Sequence, residues 1–358
     1  MSPARTWVDL DDAEGLVEAD RDGLLRFAAM AGAQVRATGT AVEEGALEAV
    51  AGGARPRTLI WLAGRGPAEA AGAMLAAALG GRAAQPLVTV ASSPPWIGPL
   101  DVLVVAGDDP GDPALVTAAG TAARRGARVV VAAPYEGPLR EATAGRAAVL
   151  EPRLWVPDEF GLCRYLAAGL AVGAAVDPGL PADLNALAED LDAEALRNGP
   201  AREIFTNPAK ALAERISGRP AVVAGDGPAT GALARHAAAI MLRVAGQTTT
   251  PAGLADVLAA LRGGRFGAAV DDLFHDEEID GPRAGRPRLI ALALAAERTL
   301  LEARLAGTGD VELLGAQDVG DAGAVTTAAG GAEHQLAVLA LRFEMAAVYL
   351  RLAAGAGE

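Results

Sequence analysis

A short glycine-containing phrase occurs twice in this chain, and it constrains the fold more than any other feature. Residues 63–68 read AGRGPA, and residues 224–229 read AGDGPA. Each phrase follows a short apolar run and precedes a long stretch rich in alanine and leucine. A strand, a glycine turn and a helix in this order present a helix N-terminus at which an anion can bind. Because the unit recurs about one domain length later, the sequence predicts two similar α/β halves in one chain.

Apolar segments alternate with amphipathic segments through both halves. We predict strands at 58–63, 86–91, 101–106, 127–133, 146–150, 219–224, 287–294 and 310–316. We predict helices at 67–80, 112–125, 137–144, 229–245, 252–262, 295–305 and 332–354. Continuous apolar strands that alternate with helices indicate parallel sheets covered on both faces, so the predicted class is α/β. The predicted organisation is a helical segment at 1–50, a first α/β domain at 51–154, a helical bridge at 155–215 and a second α/β domain at 216–358.

Composition and charge exclude several classes of partner. The 358 residues carry a formal net charge of -14, and 51% of them are hydrophobic, which fits packed layers rather than disorder. A negative charge of this size repels phosphate backbones and anionic membrane surfaces, so we expect neither nucleic acid nor a membrane as a partner. The single cysteine, Cys163, excludes an intramolecular disulfide framework. Since no apolar signal segment follows Arg5, we expect a cytoplasmic protein.

The glycine phrase has two possible interpretations. One is the dinucleotide-binding fingerprint G-x-G-x-x-G, but Glu69 stands where the third glycine belongs. The next predicted strand also ends without the acidic residue that would hold a ribose. These departures disfavour a nicotinamide nucleotide, and we expect no cofactor. The other interpretation is a loop that binds a phosphosugar.

Residues 64–72 carry a resemblance that supports the second interpretation. They read GRGPAEAAG, where the sugar isomerase (SIS) family has approximately G-M-G-G-S-A-I-A-G, and residues 94–96 resemble its P-x-W segment. The chain most resembles the bifunctional phosphoglucose/phosphomannose isomerases of that family. The resemblance implies two SIS-type halves, each an α/β/α sandwich on a five-stranded parallel sheet of flavodoxin-like type. It also implies a homodimer, a sugar phosphate as ligand, and aldose–ketose isomerisation of glucose 6-phosphate or mannose 6-phosphate.

The same resemblance implies a set of substrate-binding residues, which lie in the two glycine turns, the loop after the third strand and two further family segments. These residues are Gly64, Arg65, Gly66, Gly107, Gly111, Arg153, Lys210, Gly225 and Gly227. Arg153 falls in a segment resembling the one that follows the fifth strand of the family. Lys210, the only lysine of the chain, falls in a segment similar to N-x-A-K-x-L-A.

The loop after the third strand departs from the family pattern. The family has a run of hydroxyl residues that holds the phosphate, whereas this chain has Asp108, Asp109 and Asp112. One pair of like charges at about 4 Å costs roughly 4 kcal/mol at an effective dielectric constant of about 20. The favourable effect of a helix N-terminus, about 0.3–1 kcal/mol, is smaller. Either these aspartates cap the next helix, or the loop binds phosphate with help from a cation or from Arg65.

The catalytic residues of the family are also replaced. Its base is a glutamate on the helix after the second glycine turn, but here that helix has Arg235 and His236 and no acid. The best substitutes are His275 and Glu277, in an acidic loop that could supply a base and a ring-opening acid, or could be structural. We interpret His236 as a surface or interface residue and His334 as having no chemical role. No metal-binding motif of fixed spacing is present.

Two classes of function therefore stay open. The first is a divergent isomerase of glucose 6-phosphate or mannose 6-phosphate that uses His275 or Glu277 as its catalyst. The second is a non-catalytic SIS protein that binds a phosphosugar or a nucleotide sugar and regulates, or scaffolds, a sugar-processing partner.

Overall fold

Two parallel β-sheets organise the chain in the computed structural model, which describes residues 8–266, 286–308, 311–318 and 330–355. The first sheet contains β1 (Thr58–Ala63), β2 (Leu87–Val90), β3 (Asp101–Ala106), β4 (Arg128–Ala132) and β5 (Ala147–Val149). The second contains β6 (Ala221–Gly225), β7 (Thr249–Gly253), β8 (Arg288–Ala293) and β9 (Val311–Gly315). All neighbouring strands are parallel, so the α/β class predicted from the sequence is confirmed.

Thirteen helices of the described residues surround these sheets, together with two short 3-10 turns at Asp158–Phe160 and Ile204–Thr206. The first seven are α1 (Ala13–Ala19), α2 (Leu24–Ala29), α3 (Ala31–Glu43), α4 (Gly66–Leu79), α5 (Pro113–Arg124), α6 (Gly137–Thr143) and α7 (Leu162–Val176). The others are α8 (Leu184–Arg197), α9 (Pro208–Ile216), α10 (Pro228–Ala245), α11 (Leu254–Arg262), α12 (Arg298–Leu305) and α13 (Ala332–Ala353).

The strand order of the first sheet is β2-β1-β3-β4-β5, which is the flavodoxin-like order. Side chains of its strands alternate between two apolar layers. Ile60 and Leu62 pack towards α5 and α6, whereas Leu59 and Trp61 pack towards α4 and α7. The order reverses between β1 and β3, so the loops after these strands flank the crevice where ligands of open α/β sheets bind.

The second sheet has the order β7-β6-β8-β9 and comprises four strands within the described residues, where the resemblance implies five. The sequence analysis missed β7, because its sequence TTPAG contains proline and glycine, which are rare in strand interiors. Pro251 is tolerated here because β7 lies at the edge of the sheet, where one backbone N–H is not needed by a neighbour.

A central layer of helices joins the two halves. Trp61 and Val104 of the first sheet belong to the same buried apolar cluster as Val223 and Ile290 of the second. Helices α4 and α7 from the first half and α10 and α13 from the second form much of this layer. The domain boundaries proposed from the sequence stay a prediction. None of the described helices combines the length and the apolar character that a membrane crossing requires.

Candidate functional site

The first glycine turn lies at the carboxyl end of β1, where the sequence predicted an anion-binding turn. Arg65 is the N-cap of α4, and Gly66, its first residue, has φ +66°. This left-handed backbone conformation favours glycine. No side chain caps the helix, so its first N–H groups keep their capacity to bind a ligand.

The loop after β3 lies beside this turn, and two of its aspartates act as local caps. Oδ1 of Asp112 accepts a hydrogen bond from the N–H of Ala114 at 2.8 Å, at the start of α5. Oδ1 of Asp109 accepts one from the N–H of Gly111 at 2.8 Å. The first alternative of the sequence analysis therefore describes Asp112, which caps α5, whereas Asp109 satisfies a backbone donor within the loop itself.

The third aspartate of the loop, Asp108, pairs with Asp158, which begins the 3-10 turn before α7. The pKa of Asp158 is raised to about 6. The largest cause is the hydrogen bond with Asp108, followed by burial and by the negative charges of Asp108 and Glu159, while the positive charge of Arg243 opposes the shift. The two carboxyl groups share a proton in mildly acidic solution, because two ionised carboxylates in contact repel each other. Such a pair titrates as a unit.

Asp108 is the member of this pair that stays ionised. Burial opposes its ionisation, but the hydrogen bond from Asp158, its own backbone and two positive charges together hold its pKa below the ordinary value. The positive charges belong to Arg65, at the first glycine turn, and to Arg164, on α7.

Arg164 has spare hydrogen-bonding capacity. Its Nη2 donates to the hydroxyl of Tyr165 at 2.7 Å, and its guanidinium lies 4.4 Å from the centre of that ring. Its Nε and Nη1 are buried and have no hydrogen-bond partner in the part of the chain that the structure describes. Buried donors without a partner are costly and point to a ligand or to ordered water.

A cavity of about 210 Å³ lies between α4 and α10, and Glu159, which follows Asp158 in the chain, lies in its wall. The two helices are antiparallel, so Gly66 at the start of α4 faces Arg243 near the end of α10. Nη2 of Arg243 lies 3.4 Å from Oε1 of Glu159, longer than a close ion pair. Arg235 is exposed, and no ion pair or hydrogen bond of its side chain is found among the described residues. We use the name edge cluster for the charged residues Arg65, Asp108, Asp158, Glu159, Arg164 and Arg243.

His236 lies in the wall of the same cavity, and its position corrects the sequence analysis. The side chain is buried rather than on the surface, with 4% exposure. Its Nε2 lies 3.2 Å from Oε1 of Glu344 on α13. His334 is placed elsewhere, with Nδ1 2.7 Å from Oδ2 of Asp190.

The second glycine turn lies at the other end of the α4–α10 pair. It lines an open groove of about 950 Å³, together with residues at the C-terminal end of α4. The N–H of Gly227 donates to Oγ1 of Thr230 at 3.1 Å, and Asp226 pairs with Arg304. The two turns therefore do not meet at one site, although Arg235 lines both the cavity and the groove.

Two predicted binding residues are engaged away from the cavity. Arg153 is exposed and pairs with Glu44. Lys210 is fully buried, and its Nζ donates to the carbonyl oxygens of Pro200 and Arg202 at 2.8 and 2.7 Å. The structure thus brings Gly64, Arg65, Gly66, Gly107 and Gly111 to one edge of the first sheet, and neither Arg153 nor Lys210 lines the cavity. His275 and Glu277 lie outside the described residues.

Sequence reasoning missed Asp158, Glu159, Arg164 and Arg243. Each comes from a segment without a motif, and an arginine on a helix gives no signal that distinguishes a site from a solvated face. Only the packing of α7 and α10 against α4 places these side chains beside the first glycine turn. Across residues 8–266 and the other described ranges, no three potential metal ligands are grouped so as to hold an ion.

No protein-family model matches this sequence, and no curated protein matches it. Solved structures do share the fold. A protein from Silicibacter pomeroyi, provisionally assigned as a phosphosugar isomerase, is 19% identical with a TM-score of 0.62, over 90% of this chain and 95% of that one. Tagatose-6-phosphate ketose/aldose isomerase from Escherichia coli is 15% identical with a TM-score of 0.56, over 97% and 95% of the two chains.

A third similar structure is the C-terminal domain of glucosamine-fructose-6-phosphate aminotransferase from Francisella tularensis. It is 11% identical with a TM-score of 0.58, over 94% of this chain and 98% of that one. These similarities confirm the predicted fold, in which two SIS-type α/β halves with parallel sheets share one chain.

Proposed function

We propose that this chain, which has the fold of the phosphosugar isomerase structures, binds a hexose phosphate in the cavity between α4 and α10. The observation that carries the proposal is the convergence of unsatisfied donors on this cavity. Gly66 at the uncapped N-terminus of α4 and the loosely paired Arg243 line one end of it, and Arg235, which has no partner among the described residues, lines it further along α10.

Guanidinium groups can replace the hydroxyl groups that this chain lacks. Arginine binds phosphate through two parallel N–H···O bonds, which are stronger than bonds between neutral groups. Arg243 lies close to Gly66 in space and Arg65 precedes it in the chain, so a phosphate at the start of α4 would contact the helix N-terminus within reach of these two side chains. The carboxylates of Asp109 and Asp112 are occupied by backbone N–H groups of their own loop.

Thermal denaturation with a panel of ligands tests binding. The panel contains glucose 6-phosphate, mannose 6-phosphate, inorganic phosphate and glucose. A ligand that binds only the folded state stabilises it by about 2.7 kcal/mol at about a hundred times its dissociation constant. We expect a higher midpoint with at least one hexose phosphate and none with glucose. An unchanged midpoint across the panel would contradict the proposal.

The carboxyl pair of the edge cluster supports a second function, isomerisation of glucose 6-phosphate or mannose 6-phosphate. An aldose–ketose isomerase needs a base that moves a proton between C1 and C2 and an acid that assists ring opening. Asp108 stays ionised and Asp158 has a pKa of about 6, so the pair offers a proton acceptor beside a proton donor. His275 and Glu277 remain the catalytic candidates predicted from the sequence.

A coupled isomerase assay separates turnover from binding alone. Asp108→Asn, Asp158→Asn, His275→Gln and Glu277→Gln identify the base, because its loss should lower kcat at least about a hundredfold while ligand binding persists. A wild-type protein that binds the ligand without converting it would instead support the non-catalytic regulatory role. Homodimer formation and a cytoplasmic location also remain predictions, to be checked by light scattering and by microscopy of a tagged chain.

A further inference from the structure

A buried imidazole–carboxyl pair lies in the wall of the cavity, and the proposed function does not use it. His236, on α10, is 4% exposed and lines the cavity. Its Nε2 lies 3.2 Å from Oε1 of Glu344, whose side chain on α13 is 1% exposed. The other ring nitrogen, Nδ1, has no hydrogen-bond partner among the described residues, so it can bond a ligand.

Glu344 is not a satisfied structural carboxylate. Its second oxygen, Oε2, is buried and has no partner in the described part of the chain. Burial raises the pKa of Glu344, although the hydrogen bond and the charge of His236 oppose the shift. A bare carboxylate is costly in such a place, so the pair holds a proton between its two members. Burial and the neighbouring Glu344 also raise the pKa of the Cys163 thiol, which therefore stays neutral.

Charged groups around the cavity influence whether His236 and Glu344 together take up a further proton. Those that line the cavity are Glu69 on α4, Glu159 before α7, and Arg235 and Arg243 on α10. Behind them, Asp158 adjoins Glu159, and the neutral thiol of Cys163 on α7 lies near Glu344 on α13. The two arginines line the cavity, and their positive charges repel any further cation there. An anion that pairs with them removes this repulsion and adds its own attraction for the imidazolium.

We propose that His236, held in place by Glu344, takes up a proton from solvent when an oxyanion enters the cavity, and then donates a hydrogen bond to that oxyanion. The inference rests on the proposed function and deepens it by making proton uptake part of ligand binding. By linkage, an anion that binds the protonated pair about tenfold more tightly moves the titration of the imidazole by about one pH unit.

Nuclear magnetic resonance of the His236 Cε1–H group tests this coupling. The full-length chain is titrated between about pH 5 and pH 9 with and without saturating sulfate, whose charge does not change over this range. The Asp158→Asn variant is titrated beside the wild type, because it removes the other group that protonates in this range. His236→Gln assigns the resonance, and His334→Gln is the matched control.

We expect sulfate to move the His236 titration midpoint upwards by about one pH unit in both the wild type and Asp158→Asn. Glu344→Gln keeps the size of the side chain and leaves Nε2 a neutral partner, so sulfate should still move the midpoint upwards, because the anion and the two arginines act on the imidazole itself. His334→Gln should leave the shift unchanged. In His236→Gln, the affinity for sulfate should be about tenfold lower than in the wild type at the acidic end of the range and little changed at the basic end.

The outcomes separate this inference from the proposed function. If sulfate or glucose 6-phosphate raises the thermal midpoint while the His236 titration stays fixed, the coupling is refuted and binding in the cavity stands. If neither anion stabilises the protein nor moves the titration, both proposals fail.

Discussion

Glu194 and Arg342 form an ion pair that is completely removed from solvent. Nε of Arg342 lies 2.7 Å from Oε1 of Glu194, and neither side chain is exposed. Arg342 also donates to the carbonyl oxygens of Gly315 and Ala316, at 3.0 and 2.9 Å. The pair therefore joins α8, α13 and the end of β9, which come from distant parts of the chain.

Breaking this pair should destabilise the protein strongly. Glu194→Gln keeps the size of the side chain but leaves the Arg342 guanidinium buried without its counter-charge. Removing one partner of a buried pair costs about 3–5 kcal/mol in the free energy of unfolding. Urea denaturation measures this loss. Asp22→Asn is the control, because it breaks the exposed pair with Arg351 and should cost under about 1 kcal/mol. Equal losses in the two variants would contradict the prediction.

The fold was largely predictable because its signals are local. The strands of the first sheet are mainly apolar runs, with Thr89 interrupting β2, and glycines mark the turns after β1 and β6. The strand β7 carries no such signal, since its place depends on pairing with β6 rather than on its own residues. Within the site, the sequence indicated residues 64–66 and the loop after β3 that carries Asp108. Packing between helices brings Asp158, Arg164 and Arg243 to the site, and no local sequence motif encodes that packing.

Arg243→Gln should weaken hexose phosphate binding in the cavity. The substitution removes the guanidinium that faces Gly66 and leaves a shorter, uncharged polar side chain. A hydrogen bond to a charged group contributes about 1.5–3 kcal/mol, so the dissociation constant should rise about tenfold to a hundredfold. Isothermal titration calorimetry measures it.

The matched control for this loss is Arg140→Gln. Arg140 is also an exposed arginine, but it lies on α6, on the opposite face of the first sheet from α4. Its replacement should leave the dissociation constant unchanged within about twofold. A similar loss in both variants would show that total charge, rather than contact in the cavity, determines binding.

Asp158 should make stability depend on pH in a defined direction. Its pKa is about 6 in the folded protein and about 3.9 in an unfolded chain, so the folded state binds more protons between these values. The stability that protonated Asp158 contributes is present below about pH 4 and is lost as the pH rises to about 6. Asp158→Asn should therefore raise the thermal midpoint near neutral pH and change it little in acid.

Calorimetry of Asp158→Asn at several pH values measures this difference. Glu136→Gln serves as the control, because Glu136 is exposed at the start of α6 and makes no side-chain cap. Its midpoint should follow the wild type at every pH. A gain in Asp158→Asn that is as large in acid as at neutral pH would exclude the carboxyl pair as the cause.

The two glycines of the second turn should respond very differently to alanine. A Cβ on Gly225 would lie 2.3 Å from the backbone nitrogen of Gly231 and 2.4 Å from the carbonyl carbon of Thr230, so β6 and α10 would have to separate. A Cβ on Gly227 would meet Oε1 of Glu297 at 3.6 Å, an ordinary contact, and its φ of -115° suits alanine.

Gly225→Ala should therefore lower the free energy of unfolding by about 3 kcal/mol or more, since overpacking against backbone cannot be relieved by a side chain. Gly227→Ala should cost under about 1 kcal/mol, as expected when alanine replaces glycine at an N-cap. Urea denaturation of both variants decides between this account and one in which either glycine is needed only for ligand binding. Because Gly227→Ala should fold, it is also the variant in which a contribution of the second turn to hexose phosphate binding can be measured without loss of structure.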